Sequence, residues 1–262
     1  MIAASPGIGT RKQYDAGSRL RLLGTAQGLA ARPIEYLTRD VRLRPGADRF
    51  ADRSDAGRAL AQLLTSYAGR ADVLVLGLPR GGVPVAAEVA TAIGATLDVL
   101  IVRKLGVPRH PELAMGAIAA VGEAIELVTN DRVLARVQIS DEDFETVRRA
   151  ELVELARRSV AYRGDRPVTA VAGRTVIIVD DGLATGSTMR AAVAAVRRQW
   201  PARLVVGVPV GPADHGGPAL RDQVDEVVVA MTPTPFQAVR QGYRDFSETS
   251  DDEVLAALAR PH

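Results

Sequence analysis

Cysteine is absent from the 262 residues. That excludes disulfides, a thiolate metal site and a cysteine nucleophile. Histidine is scarce, at three residues, and His110, His215 and His262 are too scattered in sequence to read as a metal-ligand cluster. Aromatic residues make up only 4% of the chain. No apolar run is long enough to span a bilayer. The first residues, Met1 to Gly7, lack the basic stretch followed by an apolar core that marks a secretory signal. A cytosolic protein with no membrane partner is therefore expected. Excess charge is missing too: 33 Lys+Arg against 31 Asp+Glu give a net +2. This is not the footprint of a nucleic-acid binder, so nucleic acid is not an expected partner. Neither a Gly-x-Ser-x-Gly elbow nor a Gly-Lys-Ser/Thr loop occurs, which argues against an α/β-hydrolase or a P-loop kinase.

What remains is an ordinary globular composition, 47% hydrophobic and 24% charged. The length suits one good core, or one core with a small appendage. Residues 1–48 show no apolar periodicity and are punctuated by Gly and Pro. They read as a flexible N-terminal extension, carrying Arg11, Lys12, Arg19, Arg21, Arg32, Arg39, Arg42 and Arg44 as a solvated basic arm. From Phe50 the pattern changes, and residues 49–262 are expected to form the folded domain. A helix is expected from Asp55 to Leu64 with Ser54 as N-cap, then a buried strand Val73–Leu76. A sharp turn Leu78–Gly82 leads into a helix Val83–Ile93, and a strand follows at Leu97–Val102. Arg103 to Pro111, basic and proline-interrupted, reads as a loop. A short strand pair, Ala114–Val121 and Ala124–Val128, precedes a long polar helix starting at Ser140 and running to about Tyr162. Strands and helices then alternate: strand Val176–Val179, helix Met189–Gln199, strand Leu204–Val210, helix Pro218–Gln223 and strand Glu226–Ala230. Apolar strands separated by helices imply a doubly wound, mainly parallel α/β sheet.

The densest chemistry lies in Thr175 to Thr188. Val176 to Val179 form a continuous apolar, β-branched run, as in a parallel strand covered on both faces. Asp180 and Asp181 stand where that strand emerges, and ligands of open α/β sheets bind at the carboxyl ends of strands. Gly182, Leu183, Ala184, Thr185, Gly186, Ser187 and Thr188 follow, just before a helix. Backbone N–H groups of such a loop, backed by a helix N-terminus, suit a phosphate. The two carboxylates can hold hydroxyls or the hydration shell of Mg²⁺. In Leu76-Gly77-Leu78-Pro79-Arg80-Gly81-Gly82, the glycines admit an oxyanion close to the backbone and Arg80 offers a fork of donors, a combination that suits pyrophosphate.

The segment Val176–Thr188 closely resembles the 5-phosphoribosyl-1-pyrophosphate (PRPP) signature of type I phosphoribosyltransferases: four hydrophobic residues, two acids, and a loop ending Thr-Gly-x-Thr. The resemblance implies that fold, with a small hood over the acceptor. It implies that Asp180 and Asp181 bind the ribose hydroxyls, with Mg²⁺ held through water, and that Gly182 to Thr188 bind the 5′-phosphate. By the same resemblance, Arg80, Gly81, Gly82 and Lys104 bind pyrophosphate, with a cis non-proline peptide at Pro79-Arg80 or Arg80-Gly81. Arg103 to Glu112 corresponds to the family's flexible catalytic loop, in which Arg103 and Lys104 join Asp180 and Asp181 as the catalytic set. Arg109 and His110 are further candidates for assisting departure of the leaving group. Tyr243 and Phe246 are candidate base-binding aromatics of the hood, with Phe236 and Asp245 near them.

One departure matters: the 6-oxopurine enzymes of the family carry Asp where this chain has Ala184. The loop around Ala184 looks more like that of adenine enzymes, whereas Arg80-Gly81-Gly82 looks more like xanthine/guanine enzymes. The acceptor thus stays open between bases. The expected activity is transfer of the phosphoribosyl group from PRPP to an N-nucleophile, a nucleobase in nucleotide salvage, with release of pyrophosphate. The alternative is a PRPP-binding regulator without catalysis. A homodimer is common in the family.

Overall fold

A computed structural model describes residues 35–38, 48–121, 124–164 and 166–260. In chain order its elements are β1 (Glu35–Thr38), α1 (Arg53–Leu63), β2 (Val73–Gly77), α2 (Gly82–Ile93), β3 (Thr96–Val99), β4 (Ile101–Val107), β5 (His110–Val121) and β6 (Ala124–Thr129). Then come α3 (Asp131–Arg136), α4 (Asp141–Arg163), β7 (Thr175–Val179), α5 (Ser187–Arg197), β8 (Arg203–Val210), α6 (Pro218–Arg221), β9 (Glu226–Met231) and α7 (Asp251–Leu258). Apart from β1, the expectation that residues 1–48 form an extension falls outside the described residues, save Asp48.

The main sheet has the order β1-β9-β8-β7-β2-β3, and every pairing in it is parallel. Its central strands β2 and β7 are buried along their whole length because helices cover both faces. The alternation is explicit in the packing. Val73, Val75, Ile177, Val179 and Val205 face one core with α1, α2, α4 and α7. Leu74, Leu76, Val176, Ile178, Leu204 and Val206 face the other, with α5 and α6. The sheet is therefore doubly wound, as the alternating pattern predicts. Its central strands β2 and β7 are neighbours in register, Gly77 opposite Val179, so the two motif-bearing turns leave the sheet side by side.

Several expectations need correction. Arg103 to Pro111 is not a loop. It belongs to an antiparallel hairpin, β4 against β5, with β6 completing a three-stranded second sheet. The prolines that suggested a loop sit where strands tolerate them. Pro108 lies at the turn, and Pro111 lies at an irregularity where the register shifts around Gly106. A side chain on Gly106 would meet the Pro111 carbonyl oxygen at 2.8 Å, so this crossing needs glycine. The helix α1 starts two residues earlier than expected, because Asp52 rather than Ser54 caps it, accepting from Asp55 N at 2.8 Å. Ser140 caps α4 as expected. The helix α7 was missed, although Ser250 and Glu253 form a reciprocal capping box at its start. Among the described residues, no helix is long and apolar enough to cross a membrane.

Candidate functional site

The site begins where β7 ends. Asp180 and Asp181 follow Val179, and each carboxylate has one oxygen fixed within the protein. Asp180 Oδ1 accepts from Asp181 N at 2.9 Å. Asp181 Oδ2 accepts from Arg53 Nε and Nη2, both at 2.9 Å. Among the described residues, Asp180 Oδ2 and Asp181 Oδ1 have no hydrogen-bond donor. The turn thus presents one open acceptor per carboxylate, a pair suited to two neighbouring hydroxyls. Burial, and next the charge of Asp181, hold the Asp180 carboxyl well above the usual carboxylate range. Burial also raises Asp181, while Arg53 pulls it back.

Sequence reasoning missed Arg53. Its side chain is 13% exposed and does three things at once. It forks onto Asp181, donates Nη1 to the Ser247 carbonyl at 2.6 Å, and lies over the Phe246 ring at 4.2 Å. One signal could have found it. A cation in the first turn of a helix opposes the helix dipole, so such a residue invites a search for a partner.

The second turn leaves β2. The peptide Pro79-Arg80 is cis, Gly81 follows, and α2 starts at Gly82. This turn touches the acidic one directly, and only glycine fits. A side chain on Gly81 would come within 2.1 Å of Asp181 Oδ2, and one on Gly82 within 2.8 Å of Asp180 Cα. Arg80 is ion-paired with Glu248 of the C-terminal segment. The structure therefore brings Arg80, Gly81, Gly82, Asp180 and Asp181 together.

The third part is the loop into α5. Leu183 is buried and anchors the loop by donating its N–H to the Val210 carbonyl at 2.8 Å. Gly182 lies against Val239, and a methyl on it would come within 2.2 Å of Val239 Cγ1. Ala184 and Thr185 are exposed, and Gly186 turns the chain with φ +69°. Ser187 opens α5, with Thr188 beside it, and its Oγ lies 3.3 Å from Thr185 Oγ1. Arg190 closes the loop from behind, donating to the Thr185 carbonyl at 2.8 Å. The result is an exposed backbone cradle at a helix N-terminus, open to an anion.

The remaining candidates divide. Arg103 and Lys104 are adjacent in β4, so their side chains leave on opposite faces. Arg103 donates Nε to Glu151 of α4 at 2.6 Å, away from the acidic turn. Lys104 lines a cavity of about 370 Å³ together with Ser187, Arg190 and Asn130. That puts Lys104 beside the loop into α5, whereas a pairing with Arg80 was expected. It and Lys12 are the only lysines in the chain. Arg109 and His110 sit exposed at the hairpin tip. Tyr243 is 2% exposed, packed between Phe50 and Phe246, and its hydroxyl donates to the Asp181 carbonyl at 2.6 Å. Its buried ring supports the acidic turn instead of offering a face to a base, which corrects the base-binding expectation. Phe246 is half-buried under Arg53, and Asp245 accepts from Ser247 N at 2.9 Å.

No group of three His, Asp or Glu residues able to hold a metal occurs among the described residues. The donor set is the two open oxygens of the acidic turn. It does not form a protein cage, but it fits Mg²⁺ that keeps most of its water shell.

The family model for the phosphoribosyl transferase domain matches residues 50–240. Proteins from two Mycobacterium tuberculosis strains, provisionally named phosphoribosyl transferases, are each 50% identical over 213 residues, covering 81% of this chain. The match covers 47% of those relatives, so the chain spans about half the length of the curated relatives it matches. The crystal structure of the protein TT1426 from Thermus thermophilus superposes with a TM-score of 0.69 at 43% identity, covering 80% of this chain and 97% of that one.

Proposed function

The chain belongs to the phosphoribosyl transferase domain family, and from that premise we propose that it transfers the 5-phosphoribosyl group of PRPP to a nitrogen nucleophile of a small molecule, releasing pyrophosphate. The observation that carries this reading is the acidic turn: two carboxylates, each with one oxygen pinned and one open, lying against Gly81 and Gly82. A vicinal diol flanked by a phosphate and a diphosphate matches that arrangement of acceptors between two glycine-bearing turns.

In this reading, Asp180 and Asp181 accept from the ribose hydroxyls. Backbone N–H groups from Gly182 to Thr188 hold the 5′-phosphate, with Lys104 adding charge from the β4 side. Arg80, Gly81 and Gly82 receive the pyrophosphate, for which Arg80 must exchange Glu248. The acceptor nitrogen forms its bond to ribose C1 as the bond from C1 to the pyrophosphate oxygen breaks, and the acceptor's proton passes to solvent. Bound Mg²⁺, held through water by Asp180 and Asp181, would neutralise charge on the leaving group. The protein's contribution is placement and preorganised charge rather than covalent chemistry. Arg103, held by Glu151, acts at most through the hairpin it steadies. A nucleobase acceptor, a role in nucleotide salvage, a cytoplasmic location and a homodimer all belong to this reading as expectations from the family.

The test has two measurements. PRPP with Mg²⁺ should raise the melting temperature, since a ligand of the folded state stabilises it. Pyrophosphate should be released when bases are supplied as a panel. A thermal shift without pyrophosphate release would leave a PRPP-binding protein that does not catalyse. No shift at millimolar PRPP would sink the reading altogether.

A further inference from the structure

Beside the tail segment that supports Asp181 lies a cavity of about 500 Å³, lined by Arg49, Arg240, Gln241, Tyr243, Arg244 and Phe246. Three of these six residues are arginines. Elsewhere most arginines of the described structure meet an acceptor: Arg53, Arg70, Arg103, Arg148, Arg197 and Arg203 all pair with carboxylates. Arg49 and Arg240 have no ion pair among the described residues, and Arg244 meets only Asp48, at 4.0 Å. Asp245, the next acid along, is occupied by Ser247 N. The cavity therefore concentrates guanidinium charge, and two of its three arginines have no carboxylate partner among the described residues.

The scaffold under these arginines is fixed. Phe50 N donates to the Gly242 carbonyl at 2.8 Å, Arg244 N to the Phe50 carbonyl at 2.8 Å, and Asp245 N to the Ala51 carbonyl at 3.0 Å. Phe50 and Tyr243, at the centre of this ladder, are 1% and 2% exposed. Arg49 and Arg244 are thereby held on neighbouring, hydrogen-bonded backbone. Arg240 projects from the short 3₁₀ turn Val239–Gly242, whose Val239 packs on Gly182. We infer that this cavity is a second anion site, distinct from the acidic turn, for a small phosphorylated molecule carrying two or more negative charges. Guanidinium forks match phosphate oxygens in pairs, and a site with three such forks favours a polyphosphate over a singly charged ion. The volume falls in the usual range for small-molecule pockets, roughly 300–1,000 Å³. The Tyr243 hydroxyl bond to the Asp181 carbonyl makes the cavity wall and the acidic turn one hydrogen-bonded unit.

The test uses inorganic tripolyphosphate on the full chain, by calorimetry and equilibrium dialysis, with PRPP measured in parallel. Arg49→Ala plus Arg240→Ala should weaken tripolyphosphate binding at one site at least tenfold and leave PRPP binding within twofold. Arg132→Ala plus Arg136→Ala, which removes two charges from α3, is the control for net charge and should change tripolyphosphate binding by less than twofold. Thermal melts verify that both variants are folded. An equal loss in the two variants, or no loss in the first, overturns the site. So does a single tripolyphosphate site that PRPP displaces completely. A single-stranded RNA that binds the same arginines more tightly than tripolyphosphate, with steep salt dependence, would assign the surface to nucleic acid and overturn the inference as stated. Failure of PRPP to bind would count against the proposed function alone, because the tripolyphosphate measurement does not depend on it.

Discussion

Replacing Gly81 by alanine tests the contact between the two turns. The residue has φ −62° and ψ −32°, a conformation open to any amino acid. On backbone grounds alone the change would stabilise the protein by about 0.4–1 kcal/mol, through a less flexible unfolded chain. The obstacle is the new methyl, which would sit 2.1 Å from Asp181 Oδ2 and 2.8 Å from its Cγ, where ordinary contact begins at 3.4 Å. The carboxylate must retreat by about 1 Å, and Oδ2 is the oxygen that receives both Arg53 bonds. Hydrogen bonds to charged groups contribute about 1.5–3 kcal/mol, and Arg53 can follow part of the movement. The balance is a net loss of about 1–3 kcal/mol, or about 2–12 °C in melting temperature for a domain of this size. Differential scanning calorimetry would measure it, and PRPP titration of the same sample should show affinity reduced at least tenfold. In an Asp181→Ala background the added methyl meets no carboxylate, and Arg53 Nε, 3.0 Å from it, is released to shift, so Gly81→Ala should be neutral or mildly stabilising. An unchanged melting temperature with intact PRPP affinity, or the same loss in the Asp181→Ala background, would refute it.

Gly182→Ala should cost about 1–3 kcal/mol by overpacking against Val239, and Val239→Ala should restore much of that loss in the same melts. Asp180→Asn should raise the melting temperature of the ligand-free protein at pH 7. The folded Asp180 titrates above its ordinary value, so its favourable protonated state is fully present only below the unfolded value of 3.8 and is lost as pH rises through the folded one; the advantage of the variant should shrink on acidification, while its PRPP affinity falls at all pH values. Tyr67 donates to the buried Glu226 and titrates at about 12 instead of 10.0, chiefly through burial; the stability it confers is intact below pH 10 and lost between 10 and 12. Tyr67→Phe should therefore cost about 1–2 kcal/mol at neutral pH and show a flatter alkaline limb in urea titrations. Removing residues 1–45 should lower the melting temperature, because the cut deletes β1 and its parallel pairing to β9.

The parts of the site that were legible in sequence are those built from contiguous chain. Val176 to Thr188 announces strand, acids, loop and helix because a parallel strand buried on both faces shows as an unbroken apolar run, and the acids and small loop residues follow it without interruption. The turn at Arg80-Gly81-Gly82 was legible for the same reason. The hairpin from Ile101 to Val121 was not: its bulge and turn use the residues, Gly106, Pro108 and Pro111, that elsewhere mark loops. Tyr243 was legible as a residue of interest but not in its role, since an aromatic at a surface hood and one propping a turn look alike in sequence.

The charge partners form the illegible class, and the reason is separation. Arg53 meets Asp181 across 128 positions, Arg80 meets Glu248 across 168, and Arg103 meets Glu151 across 48. No local pattern encodes such pairs; they arise only when the sheet order sets α1, the β2 turn and the C-terminal segment around one strand end. A local motif can therefore name the groups that touch a ligand while saying nothing of what balances them before the ligand arrives. In this protein that balance is part of the site. Two acids at one turn repel, and Arg53 offsets the repulsion while leaving one oxygen of each carboxylate open. Arg80 at the turn after β2 attracts anions, and Glu248 pairs with it from the tail. Lys104, Arg49 and Arg240 have no such partner among the described residues, and all three line cavities. Charge left uncompensated at a concave surface is where an outside anion gains most, because it need not displace a resident one.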